Sequence, residues 1–222
     1  MRKYEWIYQH ALEQKGGVKA LEALLPQAKS AAELAVVSDD RYLSEISRRV
    51  FRAGLKHEMV DKKWPAFEEV FYNFEPNKLV LMSDEALENT LQDKRIIRHW
   101  GKIKSIRHNA LMLVEVAQQY GSFGKFLAQW PTTDIVGLWK WLVKQGKQLG
   151  GNSGPYFLRM VGKDTFVLTN DVVAALVAQG IVDKKPTSQT DLQLVQAAFN
   201  QWQEQSGRPL CQISRMLAFC VG

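Results

Sequence analysis

Two groups of residues in this chain have types and spacing suited to a charged ligand. The first is a glycine-rich turn with Gly150, Gly151 and Gly154, inside the segment KQGKQLGGNSGPYFLRMVGKDTFVLTNDVVAA from Lys144 to Ala175. Between two helices such a turn leaves backbone N–H groups unpaired and lets a ligand come close, and the helix N-terminus adds partial positive charge. Gly150, Gly151, Asn152, Ser153 and Gly154 would hold a phosphate in this way, which grips a nucleic-acid backbone without reading its sequence. Lys144, Lys147 and Lys163 surround the turn in sequence and would add affinity by releasing counterions. The second group is Asn170-Asp171, which opens the next helix. A carboxylate in a first helical turn is kept ionised by the dipole there and can face a developing positive charge. An ordinary N-cap has the same local sequence.

The densest cationic cluster lies elsewhere, at Lys94, Arg95, Arg98, Lys102, Lys104 and Arg107. A helix running from Arg98 to Tyr120 puts Arg98 and Lys102, and less closely Arg95, on one face opposite Ile103 and Ile106. That face is either a phosphate track or a solvated surface. The formal charge of +6 is compatible with a polyanionic partner. Hydrophobic residues make up 46% of the chain and charged residues 23%, an ordinary globular balance with apolar side chains for a sizeable core. No apolar run approaches the ~20 residues that span a bilayer. The opening Met1-Arg2-Lys3-Tyr4-Glu5-Trp6 is charged at once and has no apolar signal core. These features predict a soluble cytoplasmic protein, not bound to a membrane, with Cys211 and Cys220 as reduced thiols on the last helix.

The elements that must position these residues are helices almost throughout. Ala, Leu, Glu, Gln and Lys dominate, and apolar residues recur three and four apart. Ile103, Ile106, Ala110, Leu113, Val114 and Ala117 form one stripe, closed by Gly121. Gly16-Gly17 breaks the first helix, and Ser30-Ala31-Ala32-Glu33 has capping-box spacing. Ser38 starts the helix that carries Arg48, Arg49 and Arg52, and Gly54 ends it. Pro65, Pro76 and Ser83-Asp84 open short helices, and Gly146 closes the helix holding Trp139 and Trp141. Thr165 to Thr169 is an extended connection, too short to build a sheet. The expectation is an all-α chain of about ten short helices, one domain over 1–222. Its lobes fall at 1–36 plus 150–222, and at 37–149.

The layout of helix, glycine-rich turn, helix, link and Asp171 resembles the helix-hairpin-helix DNA glycosylases, whose aspartate follows the hairpin. A narrower resemblance is carried by FRAGL at Phe51–Leu55, then Trp64-Pro65-Ala66-Phe67, Phe74-Glu75-Pro76-Asn77-Lys78, Met82-Ser83-Asp84-Glu85 and Leu91-Gln92-Asp93. It continues through Ile96-Ile97-Arg98-His99-Trp100-Gly101-Lys102-Ile103 and Asn109-Ala110, with Asn170-Asp171 fitting a later dipeptide. The run from about Phe51 to Trp130 is similar to the type I 3-methyladenine DNA glycosylases. It also departs from them. Gly150 replaces the proline of their hairpin, His57 stands where they stack a tryptophan on the base, and Arg49 replaces an acidic residue used in base recognition. Val172 and Leu176 replace two zinc ligands.

The resemblance implies two helical lobes around a cleft and a double-stranded DNA partner carrying a damaged base. It implies a monomeric enzyme, without metal or other cofactor, that flips an alkylated purine (3-methyladenine foremost) and hydrolyses its N-glycosidic bond in base excision repair. Asp171 would be catalytic, and Asn170, Arg49, His57, Trp6 and Tyr8 would meet the base. The family takes pocket aromatics from its N-terminal region; core packing is the other reading of Trp6 and Tyr8. No lysine stands in the hairpin segment where lyases of this superfamily place a nucleophile, so the enzyme would be monofunctional. The alternative is a non-catalytic helix-hairpin-helix protein that recognises damaged or abasic DNA. A helical protein-interaction domain is the third option. The segment Arg208–Arg215 is expected only to dock a final helix.

Overall fold

Helix signals in the sequence translate into fourteen α-helices and three single 3-10 turns, with no strand among the described residues. The structure is a computed structural model and describes residues 1–221. In chain order the helices are α1 (Tyr4–Lys15), α2 (Val18–Glu22), α3 (Ala31–Ala35), α4 (Asp39–Arg52), α5 (His57–Val70), α6 (Pro76–Val80) and α7 (Asp84–Asn89). They continue as α8 (Trp100–Tyr120), α9 (Phe123–Gln129), α10 (Ile135–Gln145), α11 (Ser153–Val161), α12 (Asn170–Ala178), α13 (Gln189–Ser206) and α14 (Leu210–Phe219). Ser30 and Glu33 form the capping box of α3, with Ser30 N donating to Glu33 Oε2 at 2.8 Å and Glu33 N to Ser30 Oγ at 3.2 Å. Gly121, at φ 85°, ends α8 in the left-handed conformation.

Two boundaries differ from the sequence reading. Pro65 does not open a helix but lies inside α5. Val60 and Trp64 before it and Phe67 after it are all buried on the inner face, and that packing carries the helix across the missing N–H. The long helix α8 begins at Trp100 instead of Arg98, with His99 as its N-cap.

The chain divides into two units. One comprises Ser30–Trp130 and Trp139–Val161. Its core is an aromatic cluster in which Trp64 stacks on Phe67 at 4.9 Å and on Phe74 at 5.4 Å, with Phe51 edge-on to Phe67 at 4.6 Å. The indole N–H of Trp64 donates to Ser44 Oγ, which donates on to Glu68, so the buried polar atoms are satisfied. α4 packs against α8, α5 and α11. Between α5 and α6, Tyr72, Asn73 and Phe74 are all left-handed, a costly conformation for non-glycine residues. Arg41 fixes it by pairing with Glu68 and donating to the Asn73 carbonyl at 2.6 Å.

The other unit comprises Met1–Lys29, Pro131–Leu138 and the chain from Gly162 onward. α1, α12 and α13 each pack against α14, around Ile7, Leu176, Phe199, Trp202, Ile213 and Leu217. The connection Thr165–Leu168 is extended and buried, with Phe166 stacked on Phe199 at 4.2 Å. Asp164 caps α14 through two charge-assisted bonds of 2.9 Å from Leu210 N and Cys211 N. Arg208 pairs with Glu22 at 2.6 Å and lies over the Tyr8 ring, so the Arg208–Arg215 run has a docking role. Cys211 and Cys220 are unbridged, and burial pushes the Cys220 thiol up to about 11.

Candidate active site

The glycine-rich turn joins α10 to α11 and is pinned from α8. Asn109, fully buried, accepts from Lys147 N at 2.8 Å and donates to the Lys147 carbonyl at 3.2 Å. Gly146 is required by contact, since a Cβ there would lie 2.7 Å from Leu149 Cδ1 and 2.8 Å from the Leu142 carbonyl. The turn corrects the expectation for two of its residues. Ser153 and Gly154 are buried, and their amides donate to the carbonyls of Gly150 and Leu149 at 3.1 Å. Their N–H groups close the turn and are not available to a phosphate. Gly150 and Gly151 are exposed, and their amides make no hydrogen bond among the described residues. A Cβ at either would meet nothing within 4 Å. Lys144 and Lys147 are exposed beside them and Asn152 is half-buried. Lys163 is only 4% exposed, its pKa pushed down by burial, and is no surface cation.

Asp171 lies in the first turn of α12, exposed, next to exposed Asn170. The cap of this helix is Thr169, whose Oγ1 accepts from Val172 N at 3.2 Å. The carboxylate of Asp171 is therefore not the cap, and it makes no hydrogen bond or ion pair among the described residues. Val172 and Leu176, where the resemblance would put zinc ligands, are buried apolar side chains. No group of three His, Cys, Asp or Glu among the described residues is arranged to hold a metal. These residues do not fit a zinc site.

Arg49 and His57 are brought together. The end of α4 turns into α5 through Ala53–Lys56, with Gly54 at φ 77° making the corner. A cavity of about 560 Å³ opens at this corner, lined by Arg49, Arg52, Gly54, Lys56, His57 and, from α11, Tyr156. The cations are not equivalent. Arg52 grips both oxygens of Asp61 at 2.7 Å, and Arg48 reaches the same carboxylate at 3.0 Å. The hydrogen bonds from Arg52, then Arg48, hold the Asp61 carboxyl below its usual range. Arg49 pairs with no carboxylate among the described residues. Its guanidinium lies over the Tyr156 ring at 4.9 Å, and its Nε is buried without a hydrogen-bond partner. Burial, and secondarily the charge of Arg52, push its pKa down, yet an arginine remains cationic at neutral pH. A second cavity, about 460 Å³, is lined by Asp39, Asp40 and Glu75, which would repel a phosphodiester.

The remaining expected contacts are dispersed. Trp6 and Tyr8 lie half-buried on α1, Trp6 stacked on His10 at 4.6 Å and Tyr8 beside Tyr4. Arg98 is exposed but precedes α8, so it shares no helical face with Lys102. Lys102 is buried, with its ammonium donating to the Ala53 carbonyl at 2.6 Å and the Phe51 carbonyl at 3.2 Å. It satisfies the C-terminal carbonyls of α4 and is not a phosphate contact. Arg95 is held by Asp93 and Glu69, and Arg107 by Asp84 and the Met82 carbonyl. Of that cluster, the expected phosphate track reduces to Arg98, Lys94 and Lys104. Tyr156 is the residue that sequence reading passes over. Its signal was periodicity, because Phe157, Leu158 and Val161 face inward and leave Tyr156 outside.

The all-helical architecture, with a hairpin followed by a helix whose first turn bears an aspartate, is that of the helix-hairpin-helix DNA glycosylases. The solved structures agree: a 3-methyladenine DNA glycosylase I superimposes with a TM-score of 0.50 at 25% identity, covering 65% of this chain and 86% of that one. An 8-oxoguanine glycosylase/lyase of Methanocaldococcus jannaschii, solved with DNA, covers 95% of this chain and 94% of its own. Its TM-score is 0.52 at 14% identity, a likeness of fold alone. The model of the methyladenine glycosylase family matches residues 34–144, half of the chain, and the chain belongs to that family. The DNA-3-methyladenine glycosylase 1 of Escherichia coli (strain K12) is 37% identical over 76 residues. That match spans 34% of this chain and 41% of the relative's length.

Proposed function

We propose that the protein is a monofunctional DNA glycosylase that releases a modified purine from double-stranded DNA, with 3-methyladenine as the reference substrate. The observation that carries this reading is Asp171. Thr169 caps α12, so the carboxylate lies at a helix N-terminus without a structural task. Its role is to face the positive charge that develops on the sugar as the base departs with the bonding electrons. Water then adds at the anomeric carbon and loses a proton. An alkylated purine is already cationic and leaves neutral, so little acid catalysis is needed. Gly150, Gly151, Asn152 and Lys147 would grip the DNA backbone. Arg49, His57 and Asn170 would meet the base or its sugar, and Trp6 and Tyr8 are the aromatic candidates from α1. Asn152-Ser153 stands where lyases of this superfamily place a lysine nucleophile, which supports hydrolysis without strand cleavage.

The test is incubation of the purified protein with methylated duplex DNA and chromatography of the released bases, beside Asp171→Asn. Release of 3-methyladenine that the variant loses would support both the reaction and its carboxylate. Full activity in the variant would remove Asp171 from the mechanism. A second reading, a binding module without turnover, is favoured by Arg49, whose charge opposes a cationic base in the cavity. Tight binding of abasic DNA with no release of any methylpurine would select it.

A further inference from the structure

Gly101-Lys102-Ile103 and Asn109-Ala110 on α8 carry part of the family resemblance, yet their two polar side chains do not reach the surface. Lys102 is 9% and Asn109 0% exposed. A polar group in a core is unfavourable unless its partners are supplied, and an apolar side chain would fill either place. The partners here are backbone groups of two loops. Lys102 donates its ammonium to the carbonyls of Ala53 at 2.6 Å and Phe51 at 3.2 Å, where α4 turns into α5. Asn109 pairs in both directions with Lys147, accepting from its N–H at 2.8 Å and donating to its carbonyl at 3.2 Å. Beside it, His108 Nε2 lies 3.1 Å from the Gln145 carbonyl. Both loops bend on left-handed glycines, Gly54 in the corner and Gly151 in the turn. Glycine leaves a backbone free to move unless something outside the loop holds it.

Lys102 and Asn109 are seven residues apart, two turns of one helix. They therefore leave α8 on the same face, with Cα atoms about 10 Å apart. The corner exposes Gly54, Lys56 and His57, and the turn exposes Lys147, Gly150 and Gly151. We propose that α8 is a ruler: Lys102 and Asn109 are positioning residues that fix the corner and the hairpin turn at one spacing, so that both loops meet DNA together. The inference rests on the proposed glycosylase reading for what the loops meet. Neither residue touches the base or a phosphate; each acts through its loop.

The test uses the full chain, isotope-labelled, as wild type, Lys102→Met and Asn109→Ala. Backbone order parameters are measured in both loops, and affinity for a methylated duplex by anisotropy. Asn109→Ala should lower the order parameters of Lys147 to Gly151 from about 0.85 to below about 0.6 and leave Ala53 to His57 unchanged. Lys102→Met should do the reverse. Each should weaken DNA binding about tenfold, the scale of ordering a loop on association. The double variant should lose about a hundredfold, because the two losses are independent. Two conservative variants keep the test valid if the first pair misfold. Lys102→Arg retains donors for both carbonyls and should keep the corner ordered. Asn109→Asp should loosen the turn while ionised and restore it on acidification, because a protonated carboxyl again accepts from the N–H and donates to the carbonyl. A merely space-filling role would show no such recovery. Loops that stay ordered in Lys102→Met and Asn109→Ala, or that loosen together in each, would overturn the proposal. So would mobile loops with no change in DNA affinity. Weakened DNA binding in the variants, with no base released by the wild type, would sustain the positioning role and defeat the glycosylase reading.

Discussion

The corner between α4 and α5 and the first turn of α12 solve the same electrostatic problem with opposite charges. At the corner, Arg48 and Arg52 share the carboxylate of Asp61, and Arg49 is left outside the pair. At α12, the hydroxyl of Thr169 accepts from the Val172 amide, and the carboxylate of Asp171 takes no part in the cap. In each region a neighbour performs the structural task and leaves one charged group unengaged: Arg49 in the first, Asp171 in the second. The difference lies in solvation. Arg49 is half-buried and stacked on Tyr156 with a buried Nε, whereas Asp171 is exposed. A preorganised cation of that kind suits recognition of acceptors, and an exposed anion needs DNA to cover it before its charge gains strength.

The largest effect that could break this comparison is expected at Asp171. Asp171→Asn should lower single-turnover base release by about 10²–10³-fold, the scale of losing one electrostatic stabiliser, with DNA affinity and melting temperature unchanged. A parallel fall in stability would mean that the carboxylate has a structural task after all.

The hairpin turn sharpens the contrast between a structural and an unengaged group within five residues. Gly146→Ala should destabilise the fold by about 1–3 kcal/mol in urea titration, because its Cβ would overlap Leu149 and the Leu142 carbonyl. Gly150→Ala meets open space and should leave stability intact while weakening DNA binding, measured by anisotropy at fixed salt. Equal DNA affinity in Gly150→Ala would remove that amide from the DNA contact. Thr169→Ala should cost about 1 kcal/mol in stability, the usual value of a lost N-cap. Its activity should fall less than that of Asp171→Asn.

The smallest effect concerns pH and is read at one buried tyrosine in each unit. Burial pushes the hydroxyls of Tyr4, in one unit, and Tyr42, in the other, up to about 12. Their folded pKa values lie above the unfolded one, so their contribution is complete below about pH 10 and is lost as pH rises towards 12. Chemical denaturation across that range should show falling stability. Tyr42→Phe should flatten the slope, at the expense of the 2.7 Å bond to the Leu34 carbonyl. An unaltered slope would place the alkaline transition in other groups.

Much of the fold was legible because helix signals are local. The Ser30 capping box, the left-handed Gly121 and the stripe of Ile103, Ile106, Ala110 and Leu113 each depend on neighbours within a few turns. Where local rules disagreed with the structure, distant packing decided. Pro65 lies inside α5 because Trp64 and Phe67 are held by Phe51 and Phe74. Lys102 reads as a surface cation, yet the carbonyls of Phe51 and Ala53, about fifty residues earlier, take its ammonium inside.

The site divides along the same line. The all-helical class, the glycine-rich hairpin and the placing of Asp171 at a helix start were readable from the residues alone, because composition, spacing and capping are written in consecutive positions. The run around Ile96–Ile103 also carried the family resemblance. Which charges are engaged was settled by packing. It gave Asp61 to Arg48 and Arg52, left Arg49 against Tyr156, closed the turn with the amides of Ser153 and Gly154, and made Thr169 the cap. The physical reason is that an ion pair or a hydrogen bond is a competition among groups far apart in the chain. Its outcome is fixed only when packing sets their distances and removes water.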